Sequence, residues 1–331
     1  MGYSTPVLDS PAKRPGAPRV VEVRMSHPLR ENFRSAPTHA ARGDRVGFAA
    51  VLRKSPLAYG AFVVMSLIVL GAVFAPLMSP YNKDKIDLTS QYLAPSLGHP
   101  FGTDDLGRDI FVRVMHGGRI SLAVGFLAMT LALVIGVGAG GVAGYYGGWV
   151  DTLIMRAVDL MLAVPVFFVI LFLSSILSPK ISVVALCLMI GCTQWMEVAR
   201  LVRAVVITTK EHEFVDAART IGLADHRILL RHLLPHTTAP VLVAITLGLA
   251  QAIIIESGLS FLGFGVQPPT PSWGGMLQDA QSYLSDCPWI AVFPGLMIFL
   301  TVVCCNVLSD FLGEATNPAR SANRSQERLA H

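Results

Sequence analysis

Long, nearly uncharged apolar runs constrain the fold of this chain more than any other feature. An α-helix needs about 18 or more such residues to cross the hydrocarbon core of a membrane, and several runs reach that length. Of the 331 residues, 53% are hydrophobic and only 15% are charged, whereas soluble proteins carry about 25% charged residues. The alternating pattern of a membrane β-barrel is missing. We therefore predict an all-α polytopic membrane protein.

The apolar runs predict six transmembrane helices. Their approximate ranges are 57–78, 121–145, 153–177, 181–198, 238–262 and 289–312. Only Ser178, Pro179 and Lys180 separate the third range from the fourth, which predicts a tight hairpin.

The distribution of Lys and Arg predicts the orientation, because basic residues concentrate on the cytoplasmic side. The amino-terminal tail, residues 200–236 and the carboxyl tail together hold 19 basic residues, and the other loops hold 6. Both termini are therefore expected in the cytoplasm, with loops 79–118 and 265–288 facing outward. Residues 1–55 are rich in Pro, Arg, Ser and Ala, and we interpret them as a disordered cytoplasmic tail whose last part contacts anionic lipid and not nucleic acid.

Several local patterns predict contacts within and between the spans. Gly136, Gly140 and Gly144 form a small-residue ridge that would let another helix approach closely. Arg156 and Asp159, three positions apart, are expected to neutralise each other.

The polar segment before the second span is expected to begin a short helix. Thr103 would cap this helix, with Leu106, Ile110 and Val114 on one face. The acidic residues here lack the alternation and terminal Glu of a calcium loop. We expect Asp104, Asp105 and Asp109 to pair with Arg108 and Arg113 instead.

The longest charged segment between apolar runs is Glu211–Pro235, which reads EHEFVDAARTIGLADHRILLRHLLP. Its apolar residues at helical spacing are Phe214, Ala217, Ala218, Ile221 and Ile228. This stripe favours two short helices over a solvated linker. Gly222 is expected to end the first helix, and Asp225 to cap a second that ends at Pro235.

This segment resembles the EAA loop of ABC-importer permeases, whose pattern is Glu-Ala-Ala-x3-Gly-x9-Ile-x-Leu-Pro. The chain reads Asp216-Ala217-Ala218-x3-Gly222-x9-His232-x-Leu234-Pro235, with an acidic residue kept first and His in place of Ile. We call residues 211–235 the EAA segment. In the family it forms a coupling helix that docks on a cytoplasmic ATPase subunit. We assign to this docking surface Glu213, Asp216, Ala217, Ala218, Gly222, Arg227, Arg231 and Pro235.

Other segments resemble the "C"-type permeases of dipeptide and oligopeptide importers. They are His99–Asp109, Glu256–Gly265, Pro271–Gly274, Pro294–Gly295, and Asn306 with Asp310. The resemblance implies a first helix with an outward loop at 56–118, an importer core at 119–312 and a cytoplasmic tail at 313–331. It does not specify the substrate, because nickel and glutathione permeases look similar to peptide permeases.

The resemblance implies one of two homologous permease subunits, paired as a heterodimer in the bacterial inner membrane. Two cytoplasmic ATPase subunits would bind ATP and Mg, and an external solute-binding protein would deliver a di- or oligopeptide. We also expect that this subunit is not an enzyme and binds no cofactor or metal, because the sequence lacks the corresponding motifs. The chain contains no Gly-Lys pair for a P-loop, no HExxH and no GxSxG.

Three polar residues in the predicted spans are candidates for the translocation path: Glu256, Gln251 and Gln194. An ionisable group inside a membrane is costly and usually faces a polar cavity or a partner. Glu256 could therefore gate or contact the solute, or make a structural hydrogen bond. The rival class, a secondary transporter, would need coupling-ion ligands or matched broken helices, and neither is visible in the sequence.

Overall fold

The computed structural model describes residues 55–78, 85–177 and 182–316. Most of the predicted amino-terminal tail, the end of the carboxyl tail and the predicted hairpin at 178–180 lie outside these ranges. The α-helices are α1 Pro56–Val73, α2 Ala75–Met78, α3 Ile110–Tyr146, α4 Gly148–Leu162, α5 Val166–Leu177, α6 Val183–Thr209, α7 Glu213–Thr220, α8 Asp225–Ile228, α9 Leu234–Phe261, α10 Trp273–Ala280 and α11 Trp289–Thr316. The described residues form no β-strand, only an isolated bridge between Thr103 and Asp109.

The prediction of a polytopic all-α protein is confirmed. Five helical segments of the described ranges are long and apolar enough to cross a membrane: α1, α3, α6, the combined α8–α9 path and α11. Helices α4 and α5 together pass the same test and would make a sixth span, although they bend by 78° at their junction.

This bend contradicts the prediction of one continuous third helix over 153–177. The break lies at residues 163–165, between α4 and α5. Pro165 supplies no backbone N–H for a helical hydrogen bond, and its ring disfavours the helical conformation at Val164. The apolar run is therefore split into two helices that meet at a sharp angle.

Helices α3 and α6 share the most extensive helix-to-helix contact in the described fold, and the predicted glycine ridge provides it. A methyl group built at Gly140 would lie only 2.3 Å from the carbonyl oxygen of Ala199, and one at Gly136 would lie 2.6 Å from Cβ of Val198. Gly144 faces α6 in the same way. The prediction that small residues allow a close helix approach is confirmed.

Helix α3 begins earlier than predicted, and Asp109 caps it instead of Thr103. The helix has 37 residues, about 55 Å at the rise of an α-helix. The Asp109 carboxylate accepts a 3.0 Å hydrogen bond from the N–H of Val112. Gly107, with a φ of 69°, turns the chain before the helix begins, so a helix from Thr103 through Ile110 cannot form.

Charged residues before α3 form ion pairs, largely as predicted. Arg108 binds the Asp104 carboxylate at 2.7 Å, and Arg113 lies 3.6 Å from the same carboxylate. Asp109 differs from the prediction, because its carboxylate contacts the His99 ring at 2.7 Å. These pairs fix the loop against the first turn of α3.

Ion pairs also join α4 to α6, in a pattern that differs from the predicted Arg156–Asp159 pair. Asp159 binds Arg200 instead. Asp151 binds Arg203 through both carboxylate oxygens, with an Oδ2–Nη2 distance of 2.6 Å. A neighbouring helix provides a partner with better geometry than the local i,i+3 position does.

The buried apolar side chains form three main clusters along the helices. One lies between α3, α5, α6 and α9, and includes Ile190. A second joins α3, α6 and α9 to α7 and α8, and includes Leu233. A third lies where the start of α3 meets α10 and α11, around Trp273, whose ring N–H donates a 3.0 Å hydrogen bond to the carbonyl group of Val114. The EAA segment therefore shares an apolar cluster with the spanning helices α3, α6 and α9.

Candidate functional site

The EAA segment forms two short helices joined at Gly222, as predicted. Gly222 has a φ of 79°, a left-handed conformation that glycine adopts readily. Its N–H donates to the carbonyl group of Arg219 at 2.9 Å, and the N–H of Leu223 donates to that of Ala218 at 3.2 Å. These two bonds are the pattern of a Schellman helix end.

The buried face of the segment differs from the predicted stripe. Val215 and Ala218 of α7 and Ile228 of α8 are buried in the second cluster. The predicted apolar stripe is wrong at three positions, because Phe214, Ala217 and Ile221 are exposed. Helix α7 ends at Thr220, so helical spacing no longer applies to Ile221, which is 77% exposed.

The residues assigned to a docking surface are exposed, with one exception. The exposed ones are Glu213, Asp216, Ala217, Gly222, Arg227, Arg231 and Pro235. Ala218 is the exception, because its side chain packs into the second cluster. Two large apolar side chains, Ile221 and Leu230, are exposed on the segment as well. Sequence analysis did not assign Ile221 and Leu230 to the docking surface. The charged residues around them in the sequence could have indicated that role.

Pro235 does not end a helix, which corrects the prediction. Helix α8 continues through a π-helical turn, Leu229–Leu233, into α9, so that Asp225–Phe261 is one helical path. Pro235 lies in the first turn of α9, where a missing N–H is tolerated. The π-helical turn supplies the irregularity that lets the helix pass through this proline.

Three contacts connect the EAA segment, together with the preceding Lys210, to the end of α3. The hydroxyl of Tyr145 donates a 2.6 Å hydrogen bond to Asp225, and the Arg219 guanidinium lies 5.9 Å from the centre of the Tyr145 ring. Lys210 donates to a carbonyl group in the last turn of α3 at 2.9 Å. The prediction that Asp225 caps α8 is wrong, because Ala224 holds the cap position without a side-chain bond.

A cavity of about 440 Å³ lies among the spanning helices α3, α6, α9 and α11, with contributions from α4 and α5. Gln194 and Gln251, both predicted path candidates, line it. Three further polar residues, which sequence analysis did not assign to the translocation path, line it too: Thr193, Glu197 and Asn306. Glu197 follows Gln194 by three positions, a helical spacing that could have identified it.

Glu256, the third path candidate, is not among the residues that line this cavity. Its side chain is fully buried and accepts hydrogen bonds from the hydroxyls of Ser260 at 2.7 Å and Ser121 at 2.9 Å. Ser121 also accepts a 3.2 Å bond from the N–H of Trp273. These contacts fasten α9 to α3 and to the start of α10, as the structural alternative for Glu256 requires.

Two family models match the chain. The first is described as a binding-protein-dependent transport system inner membrane component and matches residues 136–321. The second is described as the N-terminal TM domain of oligopeptide transport permease C and matches residues 48–95.

Similar full-length proteins are named as transport permeases. The dipeptide transport system permease protein DppC of Alkalihalophilus pseudofirmus is 40% identical over 267 residues, covering 81% of this chain and 87% of the relative. The protein of that name from Bacillus subtilis is 41% identical, covering 81% of this chain and 83% of the relative. The glutathione transport system permease protein GsiD of Escherichia coli is 41% identical, covering 80% of this chain and 88% of the relative. A solved amino acid ABC transporter, 15% identical, aligns with 61% of this chain and 94% of its own at a TM-score of 0.47.

Proposed function

The chain belongs to the family of binding-protein-dependent transport system inner membrane components, and from this premise we propose that it imports di- and oligopeptides. It is a multi-pass permease subunit of an ATP-driven importer. This subunit would form half of the translocation path, and the ATPase subunits would move it mechanically.

The observation that carries the peptide assignment is the pair of substrates in the relatives' names. Relatives about 40% identical over four fifths of the chain are named for dipeptides and for glutathione. Glutathione is itself a small peptide, so peptide bonds are common to both substrates. A glutathione importer is the second candidate, favoured by the GsiD relatives.

Energy for import would come from two ATPase subunits, which bind ATP and Mg. The support in this chain is the EAA segment, which exposes Ile221 and Leu230 between charged residues such as Asp216 and Arg227. Exposed apolar groups inside a charged rim are typical of protein interfaces. The segment would move together with the ends of α3 and α6, because its buried face packs against them in one apolar cluster.

The remaining partners and the orientation follow from the same premise. A second, homologous permease subunit would complete the path, and an external solute-binding protein would deliver the peptide. Both termini and the EAA segment would lie in the cytoplasm, on the side favoured by the count of basic residues. The subunit itself would perform no catalysis.

Co-purification with the ATPase subunits tests the docking surface. In the Ile221→Glu variant a charge replaces a side chain that is 77% exposed, so the fold should persist while ATPase binding is lost. The matched control is Leu284→Glu, since Leu284 is 56% exposed in a segment far from α7 along the chain. Equal ATPase recovery in both variants would contradict the docking assignment.

Uptake measurements test the class of transporter and the substrate. The importer, assembled with all its subunits in liposomes, should accumulate labelled dialanine or trialanine only when ATP is supplied to the ATPase side. Glutathione uptake without peptide uptake would favour the second candidate. Peptide uptake by this chain alone, driven by an ion gradient, would indicate a secondary transporter instead.

A further inference from the structure

The cavity among the spanning helices contains polar groups that this chain leaves without partners. Gln194 is only 8% exposed, and its Nε2 atom has no hydrogen-bond partner among the described residues. A buried amide without a partner is costly, so it requires an explanation such as a bound ligand or water. Gln194 is one of the residues that line the cavity.

Glu197 and Gln251 extend this unpaired set. Both line the cavity and are exposed, and neither makes a hydrogen bond or ion pair with the part of the chain that the structure describes. They lie on α6 and α9, two helices long and apolar enough to span a membrane. Polar groups on such helices usually face a solute pathway or a polar partner.

The charge of the lining restricts the chemistry of what could bind. Glu197 is the single ionisable residue among the described lining residues, which include no Lys, Arg, His or Cys. Amide side chains from three helices, Gln194, Gln251 and Asn306, supply both donors and acceptors. The volume of about 440 Å³ lies within the ~300–1,000 Å³ of small-ligand sites.

We propose that this cavity is a peptide subsite, in which Glu197 binds the free α-amino group and Gln194 and Gln251 bind backbone amide groups. The proposal rests on the proposed function. It adds that the membrane subunit itself selects peptides with a free α-amino group. A peptide backbone has the alternating donors and acceptors that carboxamides match, whatever its side chains are. Because the one ionisable group of the described lining is a carboxylate, the lining favours a positively charged amino group over an anion.

The same lining disfavours the other candidate substrates at this position. Nickel prefers imidazole or thiolate ligands, and the described lining has no His or Cys. Glutathione carries two carboxylates, for which the described lining offers no cation.

Calorimetry on the purified membrane complex tests the subsite. The complex contains both permease and both ATPase subunits in detergent, without the external binding protein, so that only membrane sites are measured. The probes are trialanine and N-acetyl-trialanine, which differ in the charged amino group. The unmodified complex should bind trialanine more tightly, and Glu197→Gln should weaken trialanine binding about tenfold or more, as expected for a lost charge-assisted hydrogen bond.

Two further variants make the result specific. Gln194→Met keeps the side-chain length but removes the amide, so it should weaken both probes by a similar factor and preserve the preference for a free amino group. Asp310→Asn is the matched control, because Asp310 is also an exposed carboxylate of a spanning helix but lies outside the cavity lining. It should bind both probes as the unmodified complex does.

The outcomes separate this proposal from the proposed function. If the unmodified complex binds neither probe, or if Glu197→Gln leaves the preference between probes unchanged, the subsite proposal is overturned. Peptide uptake by the complete importer would still support the proposed function in either case. Loss of the second permease subunit from the Glu197→Gln complex, with unchanged peptide affinity in the remainder, would mean that Glu197 serves subunit pairing and would also overturn the subsite.

Discussion

The hydroxyl of Tyr145 donates a 2.6 Å hydrogen bond to the carboxylate of Asp225, which lies 80 positions later in the chain. Tyr145 belongs to the last turn of the spanning helix α3, and Asp225 opens the short helix α8. The Arg219 guanidinium approaches the face of the same ring. A displacement of the EAA segment would therefore be transmitted directly to α3.

Tyr145→Phe tests this connection by removing only the hydroxyl. We expect it to cost about 1 kcal/mol of stability, the usual value of one hydrogen bond, and to lower peptide uptake per ATP hydrolysed. Tyr146→Phe is the matched control, because the neighbouring Tyr146 is exposed. Uptake and ATP hydrolysis are measured together in liposomes. An unchanged ratio in the Tyr145 variant would show that the bond does not carry force.

Local sequence patterns predicted the features that depend on neighbours along the chain. Gly222 ends α7 because a glycine after a short helix readily takes a left-handed conformation. The ridge around Gly140 contacts another helix because small residues four positions apart share one helix face. The apolar character of the spans follows from the length of the apolar runs.

Features that depend on distant partners could not be predicted in this way. Asp225 stands where a helix cap is expected, but Tyr145 supplies a partner for its carboxylate. Asp159 has Arg156 nearby in sequence, yet it binds Arg200 on another helix. Of the candidate path residues, Gln194 and Gln251 were found by their polarity, whereas Glu197 lay closer to a charged segment and was missed.

Replacing Gly140 with Ala tests the close contact between α3 and α6. The new methyl group would meet the carbonyl oxygen of Ala199 at 2.3 Å, so the helices must separate, at a cost of about 1–3 kcal/mol. Gly138→Ala is the control, because a methyl group there has no neighbour within 4 Å. That variant should gain about 0.5–1 kcal/mol from helix propensity. Thermal unfolding in detergent should separate the two, and equal melting temperatures would contradict this packing.

Asp109 allows a test of the cap at the beginning of α3. Asp109→Ala removes the acceptor for the N–H of Val112 and the contact with His99, so it should destabilise the protein by about 0.5–2 kcal/mol. Asp109→Asn keeps a side-chain oxygen and caps almost as well. We therefore expect the melting temperature of the Asn variant to stay close to that of the unmodified protein. If both variants lose stability equally, the charge on Asp109 matters more than its cap.

Substitutions at Glu256 test whether its carboxylate is structural or acts in transport. Its oxygens accept hydrogen bonds from Ser121 and Ser260 in a fully buried site. Glu256→Leu removes both acceptors, and each buried polar group left without a partner costs about 1–3 kcal/mol. We expect that variant to assemble poorly, as judged by the amount of intact complex recovered from membranes.

Glu256→Gln is the informative counterpart, because its amide oxygen can still accept a hydrogen bond and serine hydroxyls can reverse to accept one from the amide nitrogen. A structural role therefore predicts a Gln variant that assembles and imports peptide at nearly the unmodified rate. The measurement is uptake normalised to the amount of assembled complex, which separates folding from transport. A Gln variant that assembles fully and yet imports nothing would assign the charge of Glu256 to the transport cycle, although Glu256 is not among the residues that line the cavity.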